Sequence, residues 1–289
     1  MSRRADLRRL VEAKNGLVVP GAYDGVSARL VERAGFPAVY MTGYGTSASR
    51  LGLPDLGYAG LAEMADHARN LAAAVEIPLI ADADTGYGGP LNVIRTMREF
   101  ERAGVSAVQL EDQEWPKKCG HEPGRKVASS KEMEQRIKAA ADARVDADVM
   151  IVARTDAIAL EGYEAALERA ARYREAGADV LFVEAPRDDK QVERVARAFD
   201  TPLLYNYAPG GRSPLLPFAR LRELGFAIIL LPVDTLLVGV RAIAEFLAEV
   251  RKRDDVLSLT DRYMHFSDFN RLIGVMDQMA MADRYKGDG

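Results

Sequence analysis

The stretch 163–184, YEAALERAARYREAGADVLFVE, contains the unit from which the rest of the chain is built. Apolar side chains recur at helical spacing up to Ala176, Gly177 follows, and 180–184 is a short apolar run that ends in an acid. A glycine commonly stands just beyond a helix, and a continuous apolar run of this length is typical of a strand buried on both faces. The stretch therefore predicts a helix, a glycine stop and a buried strand.

The same unit recurs along the chain. Short apolar runs lie at 17–20, 38–42, 78–82, 107–111, 149–154, 180–184, 203–206 and 227–231, with helical segments between them. Eight alternations of strand and helix in 289 residues predict a closed (β/α)8 TIM barrel. A doubly wound sheet is the alternative, but Pro20 and Gly21 stand where its glycine-rich phosphate-binding turn would follow the first strand.

We expect one barrel domain over 1–289, with its core at about 17–250 and a helical appendage at about 254–289. The appendage has apolar residues at helical spacing and little strand character, which favours packing against the barrel or a neighbouring subunit.

The charge balance argues against a nucleic-acid groove, because 39 basic and 43 acidic side chains give a net charge of -4. No run of about 18 apolar residues predicts a membrane span, and the first residues lead into no apolar run of signal-peptide length. We therefore expect a cytoplasmic protein that acts on a small molecule and binds neither nucleic acid nor a membrane. The single cysteine, Cys119, excludes an intrachain disulfide.

Polar residues follow the predicted strands at the end where barrel enzymes build their active sites. They are Thr42 with Gly43, Asp82 with Asp84, Glu111 with Asp112, Arg154 with Asp156, Glu184, and Asn206. Each alone could be a helix cap or a solvated turn, but six strand ends share the pattern. Asp82, Asp84 and Glu111 would repel one another unless a cation or protons neutralised them. Oxygen ligands without a nearby histidine predict Mg²⁺, with Mn²⁺ as a substitute.

A long loop follows the fourth predicted strand. The segment 112–133, DQEWPKKCGHEPGRKVASSKEM, contains Cys119 among cationic residues: Lys117, Lys118, His121, Arg125 and Lys126. Cations lower the pKa of a thiol and attract anionic substrates, so the loop is typical of a chemically active cysteine. A solvated charged loop with an incidental cysteine is the alternative.

The motifs together resemble the isocitrate lyase and phosphoenolpyruvate mutase superfamily over roughly 17–250. They are LGLPDLG at 51–57, DADTGYG at 82–88, LEDQ at 110–113, KKCGH at 117–121 and ARTDA at 153–157. The resemblance implies a Mg²⁺-dependent barrel whose mobile loop closes over a 2-oxo acid or its 2-hydroxy precursor. It also implies a homotetramer whose terminal helices are exchanged between subunits.

The resemblance also implies roles for individual residues. Asp82, Asp84 and Glu111 would serve the metal directly or through water, with Asp55 close by. The backbone amides of Thr42, Gly43 and Tyr44 would cradle the oxo-acid carboxylate, and Arg154 would pair with the oxygen on which charge develops. The resemblance implies five residues for proton transfer. They are Cys119 as proton donor, Lys117 and His121 on the same loop, Glu184 as the glutamate that engages the donor, and Tyr40 as base or hydrogen-bond partner of the substrate hydroxyl.

The cysteine favours the carbon–carbon lyases, in which it protonates the carbanion left after cleavage. A carboxyphosphonoenolpyruvate or phosphoenolpyruvate-type mutase, an oxaloacetate hydrolase and a non-catalytic metabolite-binding barrel are the alternatives. Two departures bear on the substrate: Asn206 is followed by Tyr207, Ala208 and Pro209 rather than by a glutamate, and Leu237 stands where methylisocitrate cleavers place an arginine. Because a third carboxylate would be buried unpaired beside Leu237, we expect a 2-alkylmalate or dialkylmalate as substrate.

Overall fold

The first unit of the protein is a closed barrel of parallel strands, in a computed structural model that describes residues 2–118 and 124–286. The strands are β1 (Leu17–Ala22), β2 (Val39–Met41), β3 (Leu79–Asp82), β4 (Ala107–Glu111), β5 (Met150–Thr155), β6 (Val180–Val183), β7 (Leu203–Asn206) and β8 (Ile228–Leu231). Each strand pairs with the next along the chain, and β8 closes the barrel on β1. The predicted (β/α)8 barrel is confirmed.

Helices precede the barrel and fill the connections between its strands. They are α1 (Arg3–Glu12), α2 (Gly25–Arg33), α3 (Gly43–Thr46), α4 (Leu61–Ala74), α5 (Pro90–Arg102), α6 (Ser130–Ala143), α7 (Tyr163–Glu175), α8 (Asp189–Ala198) and α9 (Phe218–Glu223). The glycine after α7, Gly177, has φ +113°, a left-handed conformation that side chains with a Cβ rarely adopt. The helix, glycine and strand of the 163–184 stretch thus form as predicted.

Side chains along each strand alternate between the barrel interior and the helices outside. On β3, Leu79 lies in the buried cluster that contains the helices, whereas Ile80 lies in the cluster inside the barrel. Leu7 and Val11 of α1 belong to the same inner cluster. Because the period is two residues, Asp82 points into the barrel at the carboxyl end of its strand.

A second compact unit, Leu236–Gly289, follows the first unit, Met1–Thr235. Its helices are most of α10 (Asp234–Arg253), then α11 (Phe266–Leu272) and α12 (Val275–Asp283). The predicted C-terminal helical extension is confirmed, while the single domain over 1–289 stays a prediction. None of the helices in the described ranges is long and apolar enough to cross a membrane.

Candidate active site

The carboxyl ends of neighbouring strands bring polar side chains together inside the barrel. The inward-facing residues at these strand ends are Asp82 of β3, Glu111 of β4, Arg154 of β5, Glu184 after β6 and Asn206 of β7. Glu111 and Arg154 are direct partners in the register of β4 and β5. The three acids in this set are at most 6% exposed, so their charges are withdrawn from water. The sequence-based set of strand-end residues therefore forms one cluster.

Arg154 lies at the centre of this cluster. Its Nη1 lies 3.5 Å from Oε2 of Glu111, and its Nη2 lies 3.6 Å from Oε2 of Glu184. Asn206 donates a hydrogen bond of 3.1 Å to the same oxygen of Glu184. Burial lowers the pKa of Arg154, but the surrounding carboxylates raise it well above its ordinary value. The guanidinium therefore carries a permanent positive charge into a buried site.

A second group of charges lies beside the first, at the ends of β2 and β3. Lys117 Nζ lies 2.6 Å from Oδ1 of Asp55 and 2.6 Å from Oδ1 of Asp84. Asp82 accepts a hydrogen bond of 3.1 Å from the backbone amide of Asp84. A Cβ on Gly43 would come within 2.5 Å of Oδ2 of Asp82, so only glycine allows the loop after β2 to approach this carboxylate so closely. The predicted neighbours Asp55, Asp82 and Asp84 are brought together.

Negative charge is in excess at this end of the barrel. Burial raises the pKa of Asp84 to about 7, with Asp82 and Asp55 adding to the rise and Lys117 opposing it. Burial likewise raises the pKa of Glu111 well above its ordinary value, and Arg154 opposes that rise. Buried carboxylates with raised pKa values are those that a bound cation would stabilise in the ionised form.

The donor chemistry of this cluster fits a hard divalent cation. Every candidate ligand is a carboxylate, and Oε1 of Glu111 is buried without a hydrogen-bond partner in the described part of the chain. Within 2–118 and 124–286, no three His, Cys, Asp or Glu side chains form a preassembled metal cage. Mg²⁺ usually keeps several waters and takes only one or two carboxylates from the protein, so it does not require such a cage. The assignment of Asp82, Asp84 and Glu111 as ligands stays a prediction.

The loop after β2 presents backbone amides at the same end of the barrel. Thr42 caps α3, and its Oγ1 accepts a hydrogen bond of 3.1 Å from the amide of Gly45. The amides of Gly43 and Tyr44 lie in the first turn, where backbone N–H groups have no acceptor within the helix. The Tyr44 side chain is 40% exposed. These amides are available to an anionic group.

Tyr40 points into the barrel from β2 and is 3% exposed. Burial raises the pKa of its hydroxyl well above 10, and the charge of Asp82 raises it further. A tyrosine with such a pKa is neutral at physiological pH, so Tyr40 presents a hydroxyl group rather than a phenolate.

The sequence profile of the phosphoenolpyruvate phosphomutase family matches residues 7–251. The chain belongs to this family. It is 45% identical to the 2,3-dimethylmalate lyase of Eubacterium barkeri, over 95% of both chains. It is 42% identical to a 2-methylisocitrate lyase of Aeropyrum pernix, over 94% of this chain and 87% of the relative.

Solved structures of the same superfamily superpose closely on the chain. A 2,3-dimethylmalate lyase of the PEP mutase/isocitrate lyase superfamily has a TM-score of 0.93 and 37% identity, covering 100% of this chain and 98% of its own. An oxaloacetate acetylhydrolase with the inhibitor 3,3-difluorooxalacetate has a TM-score of 0.93 and 40% identity, covering 98% and 96%. A phosphonopyruvate hydrolase with oxalate and Mg²⁺ has a TM-score of 0.90 and 28% identity, covering 99% of both chains. The superfamily resemblance is confirmed, and the chain is an enzyme of that superfamily.

Two residues that the sequence predicts to belong to the active site, Cys119 and His121, lie outside the described residues. The chain on either side is anchored. Gln113 holds Lys118 through both ends of its amide, donating to the Lys118 carbonyl at 2.9 Å and accepting from its amide at 3.0 Å. On the other side, Arg125 donates to Oδ1 of Asp156 at 2.9 Å.

The two departures from the motif pattern have different outcomes. The ring of Tyr207 packs edge-on against Phe218 of α9, with 5.2 Å between ring centroids, and belongs to the packing outside the barrel. Asn206, one position earlier, is the residue that reaches the site. Leu237 lies in the second unit on α10, where its side chain is 47% exposed. Its role in substrate choice stays a prediction.

Reasoning from sequence left three buried polar residues without a role. Gln109 points into the barrel and donates to Oδ1 of Asp82 at 3.3 Å. Asp112 and Asp156 were recognised as polar residues at strand ends, but neither was given a function. The sequence does contain a signal for the site role of Gln109. In AVQLE it lies between the inward-facing Ala107 and Glu111, so its amide side chain is expected to face inward as well.

Proposed function

We propose that this enzyme is a Mg²⁺-dependent carbon–carbon lyase that cleaves a 2-alkylmalate or dialkylmalate to a 2-oxo acid and a carboxylic acid. The observation that carries the proposal is the 45% identity to a 2,3-dimethylmalate lyase along 95% of both chains. A barrel end that combines Arg154, several buried carboxylates and free helix-start amides supports it, because the reaction needs groups for two carboxylates and for developing negative charge.

In this proposal the substrate carboxylate beside the 2-hydroxyl binds at the start of α3. The amides of Gly43 and Tyr44 donate to it, and the positive end of the short helix adds to the attraction. The Thr42 amide, which the sequence also assigned to this carboxylate, instead donates to the Ala22 carbonyl at 3.2 Å. Asp55 stays close to the substrate through its ion pair with Lys117. Asn206 completes the opposite wall through its hydrogen bond to Glu184.

Asp82, Asp84 and Glu111 would hold the metal, directly or through water. A bound Mg²⁺ supplies Lewis-acid polarisation of substrate oxygens and neutralises nearby charge. Mn²⁺, which takes the same oxygen ligands, would substitute. Gln109 and the Asp84 amide both donate to Oδ1 of Asp82, which leaves Oδ2 directed toward Gly43. Lys117 balances the charge of Asp55 and Asp84.

Cleavage begins with transfer of the 2-hydroxyl proton to a water molecule, and this loss is balanced by the proton that the Cys119 thiolate takes up at the end of the cycle. The O–H electron pair then forms the C2=O bond, the C2–C3 bond breaks, and its electrons move to C3 and the attached carboxylate as an enediolate-like carbanion. Tyr40, neutral in its buried position, donates a hydrogen bond to the hydroxyl oxygen, and its raised pKa makes it a hydrogen-bond partner rather than the base. Arg154 stabilises the charge that develops on oxygen, because its own charge is already fixed in place.

The carbanion is quenched by the thiol proton of Cys119, which leaves a thiolate that takes up a proton before the next turnover. His121 follows the cysteine by two positions in sequence and, when protonated, favours the thiolate form electrostatically. The charge of Lys117 is already paired with Asp55 and Asp84. Glu184, held by Asn206 and Arg154, is the group that engages the proton donor. With 2,3-dimethylmalate the products are pyruvate and propionate.

The preferred substrate has two carboxylates. Leu237 is uncharged, so a third carboxylate would gain no ion pair from this residue. We therefore propose that 2-methylisocitrate is cleaved poorly, although relatives at 42% and 45% identity carry the name 2-methylisocitrate lyase, the latter over 81% of this chain.

Oxaloacetate hydrolysis is the second candidate, favoured by the TM-score of 0.93 to an oxaloacetate acetylhydrolase. A mutase function is the third, because a carboxyvinyl-carboxyphosphonate phosphorylmutase of Arabidopsis thaliana is 40% identical over 96% of this chain. Binding of a metabolite without chemistry is the remaining alternative.

We further propose a homotetramer with terminal helices exchanged between subunits. Supporting this, the second unit has large apolar side chains exposed on its helices, among them Ile243, Phe266 and Met276. The cytoplasmic location stays a prediction.

The experiment is an assay of the purified protein with Mg²⁺ on a panel of acids. The substrates are 2,3-dimethylmalate, other 2-alkylmalates, 2-methylisocitrate and oxaloacetate, with 2-oxo acid release as readout and phosphonate formation followed by phosphorus NMR. Pyruvate from 2,3-dimethylmalate, lost in Cys119→Ser while Mg²⁺ binding persists, is the expected result. Oxalate from oxaloacetate alone, or a phosphonate product alone, would replace the lyase with the hydrolase or the mutase. Binding of Mg²⁺ and oxalate without turnover of any acid would indicate a non-catalytic barrel.

A further inference from the structure

Two arginines from different parts of the chain share the carboxylate of Asp156. Arg154 donates to it twice, from Nε to Oδ2 at 3.0 Å and from Nη2 to Oδ1 at 3.0 Å. Arg125 donates from Nη1 to Oδ1 at 2.9 Å. Asp156 is 1% exposed and Arg125 is 6% exposed, so these ion pairs are shielded from solvent.

The backbone that carries Asp156 is itself held in place by Asp112. Oδ1 of Asp112 accepts the amide of Asp156 at 2.9 Å, and Oδ2 accepts the hydroxyl of Thr155 at 2.7 Å. Oδ2 also accepts the hydroxyl of Tyr173 at 2.7 Å, which ties the turn after β5 to α7. A residue fixed by its neighbours in this way gives Arg154 little freedom to rotate.

The hydrogen bonds to Asp156 determine which edge of Arg154 faces the site. With Nε and Nη2 turned toward Asp156, Nη1 is directed toward Glu111 at 3.5 Å. A rotation of the guanidinium would break two charge-assisted hydrogen bonds at once. The direction of the charge in the site therefore depends on a residue that does not line it.

Arg125 connects this arrangement to the segment that contains Cys119. In sequence, Arg125 follows the KKCGH motif at 117–121 by four positions. Its bond to Asp156 anchors the chain where that segment returns to the barrel, next to the bridge between Gln113 and Val127. One carboxylate thus contacts both the arginine of the site and the returning chain.

We propose that Asp156 is a positioning residue that orients Arg154 and couples it to Arg125. The proposal rests on the proposed function in that Arg154 is taken to contact the reacting oxygen. Asp156 acts through Arg154 and does not touch the substrate. Arg125 contributes to the reaction through the same carboxylate, and not through direct attraction of the substrate.

The opposite end of the barrel supplies a matched control. Asp179, just before β6, likewise binds two arginines: it accepts from Arg144 at 2.8 Å and from Arg8 at 3.2 Å. It accepts in addition from the Ile151 amide at 2.9 Å. It lies at the amino end of the strands, away from Arg154. Asp156→Asn and Asp179→Asn therefore remove the same kind of interaction at the two ends of one barrel.

The test compares the two variants in steady-state cleavage of 2,3-dimethylmalate and in thermal unfolding. We expect Asp156→Asn to lower kcat about 100-fold, the usual consequence of a misplacement of about 1 Å, with a smaller change in KM. Asp179→Asn should lose stability and keep both kinetic constants. Equal kcat in the two variants after correction for folded protein would overturn the proposal.

Binding of oxalate in the presence of Mg²⁺, measured by calorimetry, separates this proposal from the proposed function. Oxalate mimics an enolate, so we expect Asp156→Asn and Arg154→Lys to weaken its binding and Asp179→Asn to leave it unchanged. If the wild-type protein cleaves no acid on the panel, the proposed function fails, and the oxalate affinities still decide the role of Asp156. Unchanged oxalate affinity in Asp156→Asn would contradict it.

A conservative pair of variants keeps the proposal testable if Asp156→Asn does not fold. Arg125→Lys and Arg154→Lys preserve charge but lose the forked geometry of the guanidinium. Since both arginines act through one carboxylate, the oxalate affinity lost in the double variant should be less than the product of the two single losses. Losses that multiply would mean that Arg125 acts independently, which would refute the coupling.

Discussion

Replacing Asp112 with asparagine is expected to destabilise the barrel, although Asp112 does not itself line the site. Asp112 is completely buried and accepts hydrogen bonds on both oxygens. Oδ1 faces the Asp156 amide, and Oδ2 faces the hydroxyls of Thr155 and Tyr173 and Nη1 of Arg169 at 3.3 Å. Every partner is a donor, so an asparagine amide would place its NH₂ group against a donor in either orientation.

The expected magnitude follows from this geometry. Arg169 keeps its hydrogen bonds to Glu161 at 2.7 and 2.6 Å. In either orientation, however, the asparagine leaves at least one buried donor without its acceptor, the Asp156 amide or Nη1 of Arg169, and such a loss costs about 1–3 kcal/mol in the free energy of unfolding. For a domain of this size, each kcal/mol lowers the melting temperature by about 2–4 °C. A decrease of about 2–12 °C should therefore appear in thermal unfolding, and urea denaturation should give the corresponding free energy.

Asp146→Asn is the matched control. Asp146 also pairs with an arginine, Arg4 at 2.9 Å, and accepts the Asp148 amide at 2.9 Å, but its side chain is 35% exposed. Such a pair contributes about 0–1 kcal/mol. If Asp112→Asn lowers the free energy of unfolding by less than about 1 kcal/mol, as the control does, the argument is refuted: the buried hydrogen bonds that Asp112 accepts would not stabilise this part of the barrel.

Three further predictions concern the site and its surroundings. Arg154→Lys should lower kcat for 2,3-dimethylmalate by about 10²–10³-fold, because one ammonium cannot replace a guanidinium that binds two oxygens of Asp156, and steady-state kinetics with unchanged Mg²⁺ affinity would support this. Asp84→Asn should weaken Mg²⁺ binding in calorimetry, whereas equal affinity would remove Asp84 from the ligand set. Burial and the charge of Arg50 lower the pKa of His67 below 6.5. Just below pH 6.5 the imidazole is therefore neutral in the folded protein, whereas the unfolded chain binds a proton there. The contribution of His67 to stability should thus fall as the pH decreases below 6.5 and stay constant above it, so the free energy of unfolding should fall less from pH 7.5 to pH 5.5 in His67→Gln than in the wild type. Equal decreases in urea unfolding of the two proteins would contradict the assignment.

Much of the barrel could be predicted from local sequence patterns. Each strand is a short apolar run, and four of the helices between strands, α2, α5, α7 and α9, are followed by a glycine with positive φ. These signals depend on residues next to one another in the chain. The polar strand ends were predictable for the same reason: once parallel strands form, their carboxyl ends lie on one side of the barrel. Asp82, Glu111, Arg154 and Glu184 therefore met as expected.

The contacts that define the site were not predictable in this way. Nothing in LGLPDLG or in KKCGH indicates that Lys117 lies 2.6 Å from both Asp55 and Asp84. The outward packing of Tyr207 against Phe218, and the sharing of Asp156 by Arg125 and Arg154, likewise depend on elements that are distant in sequence. The departure from the motif at 207–209 suggested an altered pocket. One of its side chains, Tyr207, instead packs outside the barrel.

The sequence by itself determined the order of strands and helices, the glycine stops and the residues at the strand ends, because these follow from backbone preferences and from the two-residue period of a strand. The tertiary structure alone decided which charges meet, how deeply they are buried and which oxygen each donor faces. The physical reason is that electrostatic and hydrogen-bond energies depend on distances of a few ångströms between residues far apart in the chain, and only closure of the barrel sets those distances.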